Sequence, residues 1–147
     1  MRRLTRRSFF ARVLSTLTAI ATARFVFAQA NPTPVTVPER RWYDAAKSMK
    51  RLAESWGDQP YGAVLVLDGT LIGEGPSRVV KLGDDSAHAE REAIKDAQRR
   101  LKRKVLSGSV LYSTSRPCRV CETAAAEAEV ARMYYGNALN DAGSPRS

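Results

Sequence analysis

The chain predicts an α/β domain, a mixed β-sheet with helices on its faces. Three observations carry that reading. Apolar spacing alternates between the helical and the strand period in the order α-β-β-α-β-α-β. An Asp-Gly pair joins the first two strands into a hairpin, and the later strands are linked through helices, which suits parallel neighbours. With 147 residues, 44% hydrophobic and 27% charged, the composition is that of one globular domain.

The elements follow in order. Residues 31–40, NPTPVTVPER, form a Pro-rich extended lead-in. Trp42, Ala45, Ala46, Met49, Ala53 and Trp56 recur on one helical face, and Gly57 is the stop. The run YGAVLVLDGTLIGEG reads as a hairpin turning at Asp68-Gly69. AHAEREAIKDAQRRL is helical, with Ala89, Ala93, Ile94, Ala97 and Leu101 on one side. GSVLYSTS, residues 108–115, is a short buried strand. PCRVCETAAAEAEV is an Ala-rich helix with Pro117 in its first turn. RMYYG, residues 132–136, is the last strand of a domain over 41–137, and residues 138–147 read as an irregular tail.

The charge is uneven. Net charge is +9, but residues 1–30 hold six Arg and no acid. The remaining 117 residues carry 18 basic against 15 acidic side chains, so the high charge is weak evidence that the folded part binds nucleic acid. The basic run Arg99 to Lys104 reads first as a solvated helix end with cations where the dipole favours them, and second as an RNA-backbone contact. The N-terminus has a basic start, a modest apolar stretch over Val13–Ala23 and Ala28-Gln29-Ala30, the layout of a cleaved export signal over residues 1–30. Paired Arg6-Arg7 followed by Phe9 resembles the twin-arginine export signal, which predicts a periplasmic or secreted protein. The apolar stretch is too short, and too broken by Ser and Thr, to remain as a membrane span.

The chain has one His and two Cys. Cys118 and Cys121 share a helix face, with Cys118 at the N-terminus, where the dipole favours a thiolate. By itself the pair reads equally as a redox dithiol, a disulfide or half a zinc site. His88 opens another helix, and Glu90, two residues on, points to a different side, so it can stand beside a metal that His88 binds. One His and two Cys give zinc three ligands and leave the fourth position open, the mark of a catalytic rather than a structural site.

His88-Ala89-Glu90 followed by Pro117-Cys118-Arg119-Val120-Cys121 resembles the signature of the zinc-dependent deaminases. The hairpin run resembles that of tRNA-adenosine, guanine and cytosine deaminases, and RMYYGN resembles their fourth strand. The resemblance covers about residues 40–137. It implies a cytidine-deaminase-like three-layer α/β/α sandwich, zinc on His88, Cys118 and Cys121, and Glu90 as the proton shuttle. The backbone at Ala63 would line the base pocket, N–H groups near Ala89 and Cys118 would polarise it, and the protein would be a homodimer. The implied reaction is hydrolytic deamination of a nucleobase or nucleoside of guanine, cytosine or adenine type. The alternatives are a deaminase of nucleic acid, whether tRNA adenosine or the target of a secreted toxin, and an inactive zinc-binding module of the same fold. Three departures stand out. Arg116 replaces the usual Glu before Pro-Cys. Ser77 stands where a base-contacting Asn is common, and it offers a one-point rather than a two-point contact. The chain also ends early for the family, as a C-terminally shortened domain.

Overall fold

The computed structural model describes residues 38–147; the export signal expected over residues 1–30 and most of the lead-in lie outside the described residues. The first helix, α1 (Arg40–Ser55), begins at the last residue of that lead-in and turns Tyr43, Ala46 and Ala53 inward. Gly57 ends it at φ +73°, a conformation glycine adopts without a Cβ penalty. Trp56 leaves the expected apolar face. It sits at the helix C-cap with Lys81 Nζ 3.7 Å from its ring centroid.

The hairpin forms as expected from β1 (Gly62–Leu67) and β2 (Thr70–Pro76). Asp68 and Gly69 both take positive φ, 48° and 70°, as a two-residue turn matched to strand twist requires. Leu65 pairs with Gly73 and Val66 with Leu71, so Ile72 is the extra residue of a bulge. A short helix that periodicity did not predict follows, α2 (Val79–Leu82). Then come α3 (Ala89–Leu101), β3 (Val110–Ser113), α4 (Arg119–Glu127) and β4 (Arg132–Tyr135). Two expectations are corrected here. The Ala-rich helix starts two residues after Pro117, because Cys118 keeps an extended backbone (ψ 167°) and serves as its N-cap. The tail is not irregular throughout: β5 (Asn140–Gly143) pairs antiparallel with β4, aided by an Arg132–Asp141 ion pair that no hydrophobic pattern announces.

The sheet order is β2-β1-β3-β4-β5, with β3 and β4 parallel and every other neighbour antiparallel. α4 is the crossover that the parallel pair needs. Ala46 of α1 packs with Val64, Val66, Val110, Tyr112 and Tyr134 on one face of the sheet. Ile94 and Ala97 of α3 and Ala125 of α4 pack with Leu65, Leu111 and Met133 on the other. The result is the three-layer α/β/α sandwich. Tyr134 is a core residue, its ring centroid 5.5 Å from that of Tyr112. Among the described residues no helix is long and apolar enough to cross a membrane.

One packing detail positions the site. A Cβ on Gly75 would lie 2.0 Å from the carbonyl oxygen of Ala89, and one on Gly73 would lie 2.2 Å from that of Ala93. The backbone of α3 therefore rests directly on β2, with the small residues Ala63, Ala89 and Ala93 filling the contact. The start of α3, which carries His88 and Glu90, is set against the sheet by these glycines.

Candidate active site

Two helix N-termini converge on one point. His88 is the N-cap of α3 and Cys118 the N-cap of α4. Both have extended backbones, and neither side chain caps its own helix, which frees the imidazole and the thiol to face each other. An Asx turn sets up the first: Ser86 N–H donates to Asp84 Oδ1 at 2.8 Å, just before His88. Cys121 completes the group from the first turn of α4 and is buried. Cys118 Sγ lies 3.4 Å from Cys121 Sγ, and each sulfur lies 3.5 Å from His88 Nδ1. Both cysteines are free, so the disulfide reading is set aside.

These donors could hold a metal ion. Tetrahedral zinc with Zn–S of about 2.3 Å and Zn–N of about 2.0–2.1 Å has S···S edges near 3.8 Å and S···N edges near 3.6 Å. The observed triangle is close to one face of that tetrahedron. Burial first, and then the Glu90 carboxylate, push the Cys121 thiol far up from its ordinary value. A divalent cation held here would supply the positive charge that lets this sulfur ionise. The nitrogen-and-sulfur donor set and its spacing fit zinc.

Glu90 lies in the first turn of α3, where the helix dipole favours a carboxylate. It is buried, and its two oxygens have different surroundings. Oε1 accepts a 2.7 Å hydrogen bond from the hydroxyl of Ser113, which is fully buried. Oε2 lies 3.5 Å from Cys121 Sγ, on the side of the donor triangle. Ser113 escaped the sequence reading: it ends β3, and nothing in a short apolar strand shows that its last residue meets a carboxylate 23 positions earlier.

A cavity of about 240 Å³ opens over this group, lined by Gln59, Tyr61, His88, Ala89, Glu90, Ser115, Arg116 and Cys118. Ala89 lines it. Ala63 does not. It is fully buried beneath, against Ala89 and Ala93, and Tyr61 takes the lining position two residues earlier on that side. Ser77 also departs from its expected place. It is fully buried, and its hydroxyl donates to Asp58 Oδ1 at 2.9 Å, so it ties the end of β2 to the loop after α1 instead of facing the cavity. In the run Arg99 to Lys104, two exposed cations already have acidic partners: Arg99 pairs with Asp96 and Arg100 with both Glu74 and Asp96.

Residues 37–137 match the cytidine and deoxycytidylate deaminase zinc-binding region. Over 100 residues the chain is 34% identical to the tRNA-specific adenosine deaminase of Buchnera aphidicola, covering 68% of this chain and 66% of that one. Over 86 residues it is 42% identical to that of Agrobacterium fabrum, covering 58% and 57%. The chain thus spans less than two thirds of the length of these curated relatives. The crystal structure of guanine deaminase from Bacillus subtilis superposes with a TM-score of 0.64 at 31% identity, over 68% of this chain and 64% of that one. With the match covering the whole described sandwich up to β4 and both motifs of the donor group, the chain belongs to the cytidine and deoxycytidylate deaminase family.

Proposed function

We propose that this protein is a zinc-dependent hydrolytic deaminase acting on a nucleobase, free or within a nucleoside. The observation that carries the reading is the buried Glu90 carboxylate beside the His88, Cys118 and Cys121 donors, at the floor of a cavity the size of a base. Purely structural zinc needs no such carboxylate, which weighs against an inactive module. Zinc held by these three residues would lower the pKa of water from about 15.7 to about 7.

Glu90 carries out the proton transfers. With Oε1 held by Ser113, Oε2 takes a proton from water as its oxygen adds to the amino-bearing ring carbon. Oε2 delivers that proton to the adjacent ring nitrogen. The second water proton passes to the exocyclic amine, the carbon–nitrogen bond breaks, and ammonia leaves as the carbon becomes a carbonyl. The base gains one oxygen, no net oxidation occurs, and one water is consumed. The wall formed by Gln59, Tyr61 and Ser115 supplies a ring face and polar groups that orient the base.

The test is ammonia release by the zinc-loaded full chain across adenine, guanine and cytosine bases and nucleosides, with Glu90→Gln as control. Release that falls about 10²- to 10⁴-fold in the variant supports the reading. Metal-replete, folded protein that releases nothing from any substrate, strands of nucleic acid included, refutes it. Export through the twin-arginine route accompanies this reading, because that route carries folded protein with its metal already bound. Arg6→Lys/Arg7→Lys protein that still reaches the periplasm would count against it. The homodimer expected from the resemblance is checked by sedimentation at micromolar concentration.

A further inference from the structure

Apart from Glu90 and the metal donors, the polar residues around the cavity are Gln59, Tyr61, Ser115 and Arg116. Tyr61 and Arg116 are exposed, whereas Gln59 and Ser115 are half-buried. An exposed group that a ligand fails to pair is simply rehydrated, so it discriminates little. A group that gives up its water to the ligand is left unpaired by the wrong one, and this is how a hydrogen bond rejects an analogue. That argument selects Gln59 and Ser115. The serine offers one hydroxyl oxygen. The glutamine offers a planar carboxamide, with donors and an acceptor side by side, and so a two-point contact with the edge of a flat ring.

The backbone of Gln59 is pinned from both sides. Its N–H donates to Asp58 Oδ1 at 2.8 Å, and its carbonyl accepts from the Tyr61 N–H at 2.7 Å across Pro60, a three-residue turn whose central φ the proline ring fixes. Asp58 is buried, and it also accepts from the Ser77 hydroxyl at 2.9 Å and the Lys81 N–H at 2.8 Å. The Ser77 N–H in turn donates to the Tyr61 carbonyl at 3.1 Å. Ser77 therefore acts on the cavity only through this hub. The backbone polar groups of Gln59 are spent, and its carboxamide has no partner among the described residues. What Gln59 offers a ligand is that carboxamide, carried on a fixed backbone.

We infer that Gln59 is a specificity-determining residue: its carboxamide pairs with the ring edge of the base held over Glu90 and decides which base the site accepts. This rests on the deaminase reading. Such a contact favours a ring edge on which a hydrogen-bond donor and an acceptor lie next to each other. It penalises a base that presents only one kind of group there, because the other half of the carboxamide is then left unpaired.

Two measurements are made on the zinc-loaded full chain. The first is ammonia release from adenine, guanine and cytosine, from their nucleosides, and from short single strands that contain each. Wild type is compared with Gln59→Leu, which keeps much of the bulk and removes both polar atoms, and with Gln59→Glu, which keeps the shape and removes the donors. In Gln59→Leu the preferred substrate loses about tenfold or more in kcat/KM, mostly through KM, while the poorer ones change by less than about threefold, so the ranking flattens. In Gln59→Glu the order of the substrates changes. Zinc content and the urea midpoint stay at the wild-type values in both variants. The second measurement is equilibrium binding of the same panel by calorimetry. Losses equal for every substrate, which a merely structural role gives, or no loss in either variant, overturn the inference. Base-selective binding that Gln59→Leu flattens, with no ammonia from any substrate, overturns the deaminase reading and leaves Gln59 in its role. Wild-type protein that binds nothing in the panel overturns both.

Discussion

The floor and the rim of the cavity are built differently. The floor is Glu90, Ser113 and Cys121, all buried, joined by contacts of 2.7 and 3.5 Å and seated where α3 and α4 meet the sheet. The rim is Tyr61 and Arg116, both exposed, on the segments that follow α1 and β3. A buried carboxylate can hold one orientation only where backbone packing fixes it, whereas an exposed arginine can be exchanged at no cost to the core. On the proposed reading, floor residues govern the chemical step and rim residues govern which molecule arrives.

The largest expected effect breaks the floor outright. Cys121→Ala leaves two metal donors, so zinc content measured by atomic emission falls well below one per chain and ammonia release is lost with it. A smaller effect sharpens the comparison. Ser113→Ala removes a hydrogen bond to a buried carboxylate, a loss of about 1.5–3 kcal/mol. It appears as a fall of about ten- to a hundredfold in kcat with KM and zinc content unchanged, whereas a rim substitution moves KM. Next, Gly75→Ala drives a Cβ against the Ala89 carbonyl between His88 and Glu90. It lowers stability by about 1–3 kcal/mol in urea unfolding, and it also lowers activity per folded molecule because the start of α3 shifts.

The smallest effect belongs to the loop that supports the rim. Burial opposes ionisation of Asp58, but hydrogen bonds from the Lys81, Gln59 and Val80 backbone and the Ser77 hydroxyl outweigh it and hold the carboxyl below its usual value. A depressed carboxyl pKa adds stability that is present above the unfolded value and lost as pH falls through the folded one. Wild type should therefore exceed Asp58→Asn in stability at neutral pH, and the gap should close below about pH 4. A gap that stays constant down to pH 3 would remove Asp58 ionisation from the account.

Much of the sandwich was legible because its signals are local. Period-two and period-3.6 runs, Asp68-Gly69 and Gly57 each act within a few residues. The elements that escaped lack such signals. The short helix α2 is one turn held by Asp58, and β5 is four polar residues held by partners on β4. Ser77 shows the same limit within the site. Its position after β2 was legible, but the side to which its hydroxyl turns depended on Asp58, 19 residues away.

By itself the sequence supplied the candidate donors His88, Cys118 and Cys121, and their resemblance to the deaminase signature chose the metal reading over a redox dithiol or a disulfide. It also determined the hairpin turn at Asp68-Gly69. Only the tertiary structure decided that two N-caps face each other within 3.5 Å, that Ser113 holds one oxygen of Glu90, and that Arg116 lines the cavity above it. The physical reason is range. Capping, turn chemistry and periodicity act between neighbours in the chain, whereas a hydrogen bond across 23 residues or a shared cavity wall exists only after the sheet has brought distant segments together.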